Sequence, residues 1–218
     1  MEKQSSNHSY SLKFLHTDQE KNEFDEIVNK HYLSKNKNNT FGLKDLNYYV
    51  VLDENKNIVA GCKLAYSCRV PSSNSHTGHR FLIDRLEEKL NLGIDLSEYA
   101  SSQDKFAEIS RMFSLQAWEP AKVLLNSINS LFAYQKIEYI LALLEDNMAR
   151  LISRYMGEAI KLDIEPHYCP AHNANYYLYK ITHKLNNELR LAQAEGHELE
   201  FLMSLTTSKN ILTPNITK

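Results

Sequence analysis

The sequence predicts an α/β fold in which helices flank a mixed, mostly antiparallel sheet, and it predicts one domain. A chain of 218 residues with 43% hydrophobic content can bury one sizeable core, whereas two domains would each be small. Short β-rich runs alternate with longer segments of helical period. Residues 139–144 are apolar almost throughout, which is typical of a strand covered on both faces. We expect residues 1–205 to form the domain and residues 206–218 to form a polar tail.

Composition narrows the functional classes. The formal net charge is −2 and the pI is about 6.5, which argues against a protein that binds nucleic acid or an anionic membrane. No apolar run approaches membrane-spanning length, and the polar N-terminus does not resemble a signal peptide. The three cysteines lack paired spacing, which suits reduced thiols. We therefore expect a cytoplasmic protein without integral membrane association.

The N-terminal third predicts a strand, a capped helix and a hairpin. Residues 10–15 alternate enough for a first strand, and Thr17 with Glu20 three residues later is a capping-box signature. Residues 48–52 and 58–66 are β-rich runs separated by five turn formers, which predicts a hairpin. Helical spacing predicts the buried stripe of the helix: Phe24, Ile27, Val28 and either His31 or Tyr32.

The rest of the chain predicts an insert followed by alternating elements. Residues 67–106 form a long insert of the kind that supplies lids or binding segments. After a strand at residues 106–113, a helix should begin at residues 118–120, where proline is well placed. Asp146 is expected to cap a further helix that ends near Gly157. Three more elements complete the order: strands at 160–164 and 176–181, and an amphipathic helix at 182–205.

The strand after the insert carries three polar side chains between apolar ends. In a central strand such groups must find partners or face a cleft. Strict alternation places Glu108, Ser110 and Met112 on one face, and Arg111 and Phe113 on the other. Glu108 and Arg111 can meet only if a bulge shifts the register, and bulges are over-represented beside active sites. A structural ion pair that does no chemistry is the alternative.

Glu108 is the candidate general base. It is the only acidic residue inside the apolar part of a predicted central strand, so burial should raise its pKa and fit it for accepting a proton. Ser110 can position a water or a pantetheine arm, or it can bond a neighbouring carbonyl. Arg111 is either the structural partner of a carboxylate or a clamp on substrate.

These residues resemble a known family. Ala107-Glu108-Ile109-Ser110-Arg111 resembles the E-x-S-R strand of bacterial acyl-homoserine-lactone synthases and of the related N-acyl amino acid synthases, two branches of the GNAT fold. The similarity extends to residues 61–64 and 154–157, and it covers residues 48–181. It implies a GNAT-like sheet and an acyltransferase that moves a fatty acyl group to the amino group of an amino acid or a related small amine.

The resemblance also implies substrate-binding positions, at Lys63, Ser110, Arg111, Phe113 and Trp118. The lactone synthases usually have arginine where Lys63 stands, and a tryptophan in the N-terminal third. Here the only tryptophan is Trp118. Because lysine and arginine are not equivalent at a bidentate site, this favours the N-acyl amino acid synthase over the lactone synthase. The alternatives are a lactone synthase and a non-catalytic GNAT-like binding protein.

The turn before the helix at Trp118 predicts the donor. Enzymes of this fold that use coenzyme A typically bind its pyrophosphate on a Gly-rich turn at this place. Residues 112–120 contain no glycine and carry an indole and a carboxylate. This favours the phosphopantetheine of an acyl-carrier protein over acyl-coenzyme A, with no bound cofactor. Carrier proteins are acidic, so Lys122, Arg150 and Arg154 are candidate docking residues.

One cluster has metal-binding residue types. His167-x-Cys169-x-x-His172 brings soft ligands close together but shows no fourth ligand. We expect this stretch to be a loop over the site, and we expect no metal.

Overall fold

A computed structural model of the chain describes residues 10–33, 46–67, 82–84, 86, 96–101, 103–116, 118–169 and 173–182. Within these ranges, no helix combines the length and the apolar character needed to cross a membrane. The strands are β1 (Ser11–Leu15), β2 (Asn47–Leu52), β3 (Ile58–Tyr66), β4 (Phe106–Ser114), β5 (Tyr139–Leu144), β6 (Ala159–Lys161), β7 (His167–Cys169) and β8 (Ala174–Thr182). The helices are α1 (Asp18–Leu33), α2 (Trp118–Gln135) and α3 (Asp146–Ser153), with a 3₁₀ turn at Leu96–Glu98.

The strands build one mixed sheet in the order β1-β2-β3-β4-β5-β8-β6, with β7 paired to β8. Neighbouring strands are antiparallel except for β4 and β5, which are parallel. The helix α2 supplies the crossover that a parallel pair requires. The predicted fold class, a mostly antiparallel sheet with flanking helices, is therefore confirmed, and β4 is central as expected.

Each face of the sheet buries its own core. One core lies under α2 and α3, and its members from those helices are Val123, Leu124, Leu125, Ile128, Phe132, Ala149 and Ile152. The other core lies under α1 and the insert. Its members from α1 are Phe24 and Val28, and its members from the insert include Leu82, Ile83, Leu86 and Leu96. Apolar residues of β4 alternate between the two cores, so burial on both faces holds this strand in the middle of the molecule.

Local sequence signals account for the start of the chain. The Thr17 hydroxyl accepts a bond from the Glu20 N–H at 3.2 Å, and the Glu20 carboxylate accepts one from the Thr17 N–H at 3.0 Å. This is the predicted capping box at the start of α1. The hairpin of β2 and β3 closes on Asp53, whose carboxylate accepts bonds from the N–H groups of Asn55 and Asn57.

Three predictions about the C-terminal elements need correction. The N-cap of α3 is Glu145, and Asp146 is already helical. The helix ends at Ser153, before Gly157. Residues 167–169, expected in a loop, form strand β7 because their backbone pairs with β8. Thr182, where a helix was predicted to begin, is the last residue of β8. The rest of that predicted helix (183–205), the tail, most of the insert and His172 lie outside the described residues.

Candidate active site

The site is built on strand β4, where the regular ladder breaks on both sides. On the β3 side, Lys63 pairs with Ser110 and Gly61 pairs with Phe113. One residue of β3 therefore opposes two residues of β4, Arg111 and Met112, which is a β-bulge. Arg111 has a φ of 54°, in the left-handed region that few residues other than glycine adopt. The structure therefore contains a bulge in this strand, which the sequence analysis named as the condition for Glu108 and Arg111 to meet.

The bulge changes which side chains share a face. Phe106 and Phe113 both belong to the core under α1, whereas Ala107, Ile109 and Met112 pack on the opposite core. Strict alternation had placed Met112 with Glu108 and Phe113 opposite. The extra residue at the bulge reverses these two, so Phe113 lies on the face of Glu108. That face now carries an aromatic wall.

On the β5 side the strands separate. The parallel pairing of β4 with β5 covers three pairs and ends at Glu108 with Leu141. Both strands continue past this point, β4 to Ser114 and β5 to Leu144. The predicted splay around Glu108 and Leu141 is therefore confirmed. A pocket lined by both strands and the insert remains a prediction, because most of the insert lies outside the described residues.

Glu108 stands at the point where the splay begins. Its cross-strand neighbours Ala65 and Leu141 both belong to the core under α1, so Glu108 lies on that face of the sheet. Only 2% of the residue is exposed. A carboxylate at this depth loses most of its hydration, which is the setting that favours proton acceptance over permanent charge. The structure thus provides the burial on which its predicted role depends.

Helix α1 covers this face. The ring of Phe24 meets the ring of Phe113 edge to face, with centroids 5.4 Å apart, and the ring of His31 lies 6.0 Å from the same phenylalanine. Phe113, predicted to contact substrate, therefore has its inner side filled by α1. The predicted helical stripe through Phe24 and Val28 accounts for this contact, because both residues are fully buried.

Lys63 lies on the same face and is bound by a residue that the sequence analysis missed. Its Nζ is 2.6 Å from the Oδ1 of Asp25 on α1, and it sits 4.5 Å from the centre of the Tyr48 ring. The Tyr48 hydroxyl donates to the other Asp25 oxygen at 3.2 Å. The side chain of Lys63 is only 4% exposed, whereas that of Asp25 is 37% exposed. No local signal in the sequence identifies Asp25, since it lies on the polar side of α1 and far from Lys63 in the chain.

The charges around Lys63 act in opposite directions. Burial lowers the pKa of Lys63, the hydrogen bond and charge of Asp25 raise it, and the nearby charge of Arg111 lowers it again. Burial also raises the pKa of Tyr48, and the Asp25 carboxylate adds to this effect. The bulge therefore brings Arg111 close enough to repel the Lys63 ammonium. Ser110, directly across from Lys63, is partly buried.

Trp118 lies on the other side of the sheet. Its Nε1 donates to the Tyr155 hydroxyl at 3.0 Å, and the two side chains pack against the core under α2 and α3. The hydrogen bond ties the start of α2 to the chain just after α3. Trp118 therefore does not share a face with Glu108, although it follows the splayed end of β4 in the chain.

The three predicted docking residues lie near these helix ends. Lys122 is one turn into α2 and 3.7 Å from Glu119. Arg150 is exposed on α3, and the exposed Arg154 follows that helix. A cavity of about 300 Å³ lies beside Arg150, and its other lining residues are Asp146, Ala149, Ser153, Ala159, Lys161 and Tyr179. The Trp118–Tyr155 contact places the basic residues of both helices on neighbouring segments.

The described part of the chain contains no group of three or more His, Cys, Asp or Glu side chains placed to hold a metal ion. The Cys169 side chain and His172 lie outside the described residues.

Solved structures share this architecture. The N-acyl amino acid synthase FeeM from uncultured soil microbes superposes with a TM-score of 0.57 at 10% identity, over 80% of this chain and 91% of that one. TofI, in an apo form, gives a TM-score of 0.55 at 12% identity, over 80% and 90% of the two chains. The AHL synthase LasI gives 0.53 at 8% identity, over 80% and 89%.

Neither a protein-family model nor a curated protein sequence matches the chain. At sequence identities this low, the similarity to these structures shows a shared fold. The chain has the fold of these synthases, and the resemblance inferred from the E-x-S-R strand is confirmed at the level of fold.

Proposed function

We propose that the protein is an N-acyltransferase that moves a fatty acyl group from a thioester to the amino group of an amino acid or related small amine. The observation that carries the proposal is the position of Glu108. A buried carboxylate stands at the last paired position before β4 and β5 separate, next to a bulge with a left-handed residue. A splayed parallel pair beside a buried base offers a slot in which an extended thioester arm and an amine can meet.

The proposed reaction needs two proton transfers and one bond exchange. Glu108 takes the first proton from the acceptor ammonium, directly or through one water. The free amine attacks the thioester carbonyl, and backbone N–H groups of the splayed segment stabilise the oxyanion. The carbon–sulfur bond then breaks, and the departing thiolate takes the second proton from the nitrogen, which leaves an amide and a free thiol. Ser110 and Arg111, which follow Glu108 in β4, are proposed to bind substrate. Phe113 and Lys63, on the same face as Glu108, are proposed to bind it as well.

We propose acyl-carrier protein as the donor. The segment from the end of β4 into α2 has no glycine, and Glu119 occupies the first turn of α2, where its charge opposes a pyrophosphate. A phosphopantetheine arm has a single phosphodiester and needs no such cradle. Lys122, Arg150 and Arg154 are then the basic residues toward which the acidic carrier would dock. Trp118 is included in this proposal because it begins α2 just after the splayed end of β4, although its side chain packs on the opposite core from Glu108.

The same proposal covers the chain as a whole. Residues 1–205 act as one domain, residues 206–218 are a polar tail, and the protein works in the cytoplasm without a bound cofactor. A lactone synthase and a non-catalytic binding protein are the competing functions, and the assay below separates all three by product.

The test is thioester consumption by the full chain, with acyl-carrier protein and acyl-coenzyme A compared over a panel of amino acids and small amines. Mass spectrometry identifies the product as an N-acyl amide or a lactone. We expect an N-acyl product and a higher kcat/KM with acyl-carrier protein. Equal or better turnover of acyl-coenzyme A would refute the donor, and a lactone product would refute the acceptor.

A matched pair of variants tests Glu108. Glu108→Gln keeps the shape and removes the base, so kcat should fall by about 10²- to 10⁴-fold with Tm nearly unchanged. Glu158→Gln, an exposed glutamate beside β6, should match the wild type. If Glu108 is instead a structural anchor, its substitution breaks a buried interaction worth roughly 3–5 kcal/mol. A large fall in Tm with unchanged activity per folded molecule would establish that role and remove the base from the mechanism.

A further inference from the structure

The contact between α1 and β3 joins a buried cation to a partly exposed anion. Within the described part of the chain, Asp25 is the one carboxylate at ion-pair distance from the Lys63 ammonium, at 2.6 Å. Asp25 is fixed in turn by the Tyr48 hydroxyl on its second oxygen. A carboxylate held by two partners from two strands is a defined part of the structure and not a freely rotating surface group. Its effect on Lys63 is therefore specific.

The position of Lys63 on the sheet gives this contact a consequence. Lys63 pairs with Ser110 and Ala65 pairs with Glu108, so Lys63 and Glu108 are diagonal neighbours on one face. Diagonal neighbours lie roughly 7–8 Å apart, within reach of long side chains. The lysine side chain could turn toward Glu108, yet its ammonium lies at Asp25. Helix α1 thus supplies a competing carboxylate for this cation.

We propose that Asp25 is a positioning residue that holds the Lys63 ammonium on the α1 side of the site and keeps it from pairing with the Glu108 carboxylate. The kinetic part of this inference rests on the proposed function, in which Glu108 is the base. A base that is held in an ion pair with lysine is a weaker proton acceptor, because the nearby positive charge stabilises its ionised form. Asp25 therefore acts on the reaction only through Lys63.

Several charged and titratable groups surround Lys63. Asp25 faces it from α1 and Tyr48 from β2, and Arg111 and Glu108 approach from β4. Lys21, also on α1, lies 5.8 Å from the centre of the Tyr48 ring. Burial and Arg111 lower the pKa of Lys63, and Asp25 raises it. Without Asp25, Glu108 remains as a carboxylate diagonal to Lys63 on the same face of the sheet.

The first experiment needs no activity. The side-chain carboxyl of Glu108 is titrated by ¹³C NMR in the full-length wild type, Asp25→Asn, Lys63→Met and the double variant. We expect Asp25→Asn to lower the pKa of Glu108 by about 1, because a cation moves beside it. In the double variant the lysine is absent and Arg111 is unchanged, so the pKa of Glu108 should equal that in Lys63→Met. An unchanged pKa of Glu108 in Asp25→Asn overturns the inference.

The second experiment is a kinetic cycle on the same four proteins. Asp25→Asn should lower kcat/KM by about tenfold, within the range of coupling measured inside one ion-pair network, and should move the acid limb of the pH profile to lower pH. The double variant should equal Lys63→Met, because without the lysine Asp25 has nothing to position. Additive losses in the double variant would show that Asp25 acts independently of Lys63, and would overturn the inference.

A control on the same helix separates positioning from the docking of α1. Glu20 forms an exposed ion pair with Lys13 at 2.6 Å and caps α1. Glu20→Gln should lower stability without changing the pKa of Glu108 or the pH profile. If it shifts the Glu108 titration as Asp25→Asn does, loosening of α1 is the cause and the inference fails. If the wild type transfers no acyl group at all, the proposed function fails, while the NMR titration still decides the role of Asp25.

Discussion

Gly61 is the position at which a single methyl group should most clearly disturb the site. It pairs with Phe113 at the bulge, directly under helix α1. A methyl carbon at Gly61 would lie 2.7 Å from the Phe24 ring and 2.9 Å from the Tyr49 carbonyl oxygen. The ring can rotate or shift, but the carbonyl belongs to the backbone of β2, which is paired with β3. Gly61→Ala must therefore displace α1, spread the two strands, or both.

The size of the effect follows from two opposing terms. Overpacking a well-filled site costs about 1–3 kcal/mol. Replacing glycine restricts the unfolded chain, which returns about 0.4–1 kcal/mol. The net loss of roughly 1–2 kcal/mol corresponds to a fall in Tm of about 2–8 °C for a domain of this size. Thermal unfolding followed by circular dichroism on the full chain measures it.

A second variant tests the assigned cause. Phe24→Leu removes the ring atom nearest to the new methyl but leaves the Tyr49 carbonyl in place. Gly61→Ala should therefore cost less in the Phe24→Leu background than alone, without becoming neutral. A Tm for Gly61→Ala at or above that of the wild type would refute the argument, because it would show that α1 is not packed against Gly61 as described.

Two further predictions concern pH and thiol chemistry. The bonds of Glu20 to Lys13 and to Thr17 at the start of α1 lower its pKa from 4.5 to about 2, so their stabilisation is complete above pH 4.5 and is lost as the pH falls from 4.5 toward 2. Acid titration of unfolding should show this loss in the wild type. The pKa values of Asp53 and Asp146 are also lowered, so Glu20→Gln should still lose stability in acid, but less than the wild type between pH 4.5 and 2. An equal loss in the two proteins would contradict the role of Glu20. Burial raises the pKa of the Cys62 thiol, so the native protein should react with iodoacetamide at this residue only as fast as it unfolds. Rapid alkylation of Cys62 in the folded chain would show that β3 is more open than described.

Much of the fold follows from short-range signals in the sequence. The capping box at Thr17 and Glu20 fixes the start of α1, and five turn formers fix the hairpin of β2 and β3. These features depend on neighbours within a few residues, so a pattern can identify them. The buried polar strand around Glu108 was likewise visible, because a carboxylate between apolar β-formers is costly unless it has a role. That cost is what makes this strand the candidate site.

The contacts that shape the site depend on long-range geometry. The residues near Arg111 contain no signal that predicts its positive φ. This angle determines whether Phe113 or Met112 shares a face with Glu108. The Asp25–Lys63 contact requires α1 to cross the sheet at one particular place. Side-chain pairs that are far apart in the chain follow from the packing of whole elements, which periodicity does not supply.

The bulge itself can be tested by the sign of one comparison. At Arg111, with φ at 54°, a Cβ costs roughly 1–2 kcal/mol, while glycine loses about 0.5–1 kcal/mol through the greater freedom of the unfolded chain. Arg111→Gly should therefore be more stable than Arg111→Ala by about 0.5–1 kcal/mol, and both variants lack the guanidinium. Denaturant unfolding of the two proteins measures the difference directly.

Ile109, two residues earlier in β4, supplies the matched control. It lies in the regular part of the ladder, paired with Leu64 of β3. There Ile109→Gly should be less stable than Ile109→Ala by about 0.5–1 kcal/mol, the usual order in a strand. Opposite signs at two positions of one strand would locate the left-handed residue. If the alanine variant is also the more stable one at Arg111, the bulge is not at the position that the register indicates. Phe113 would then lie on the opposite face from Glu108 and could not contact a substrate there.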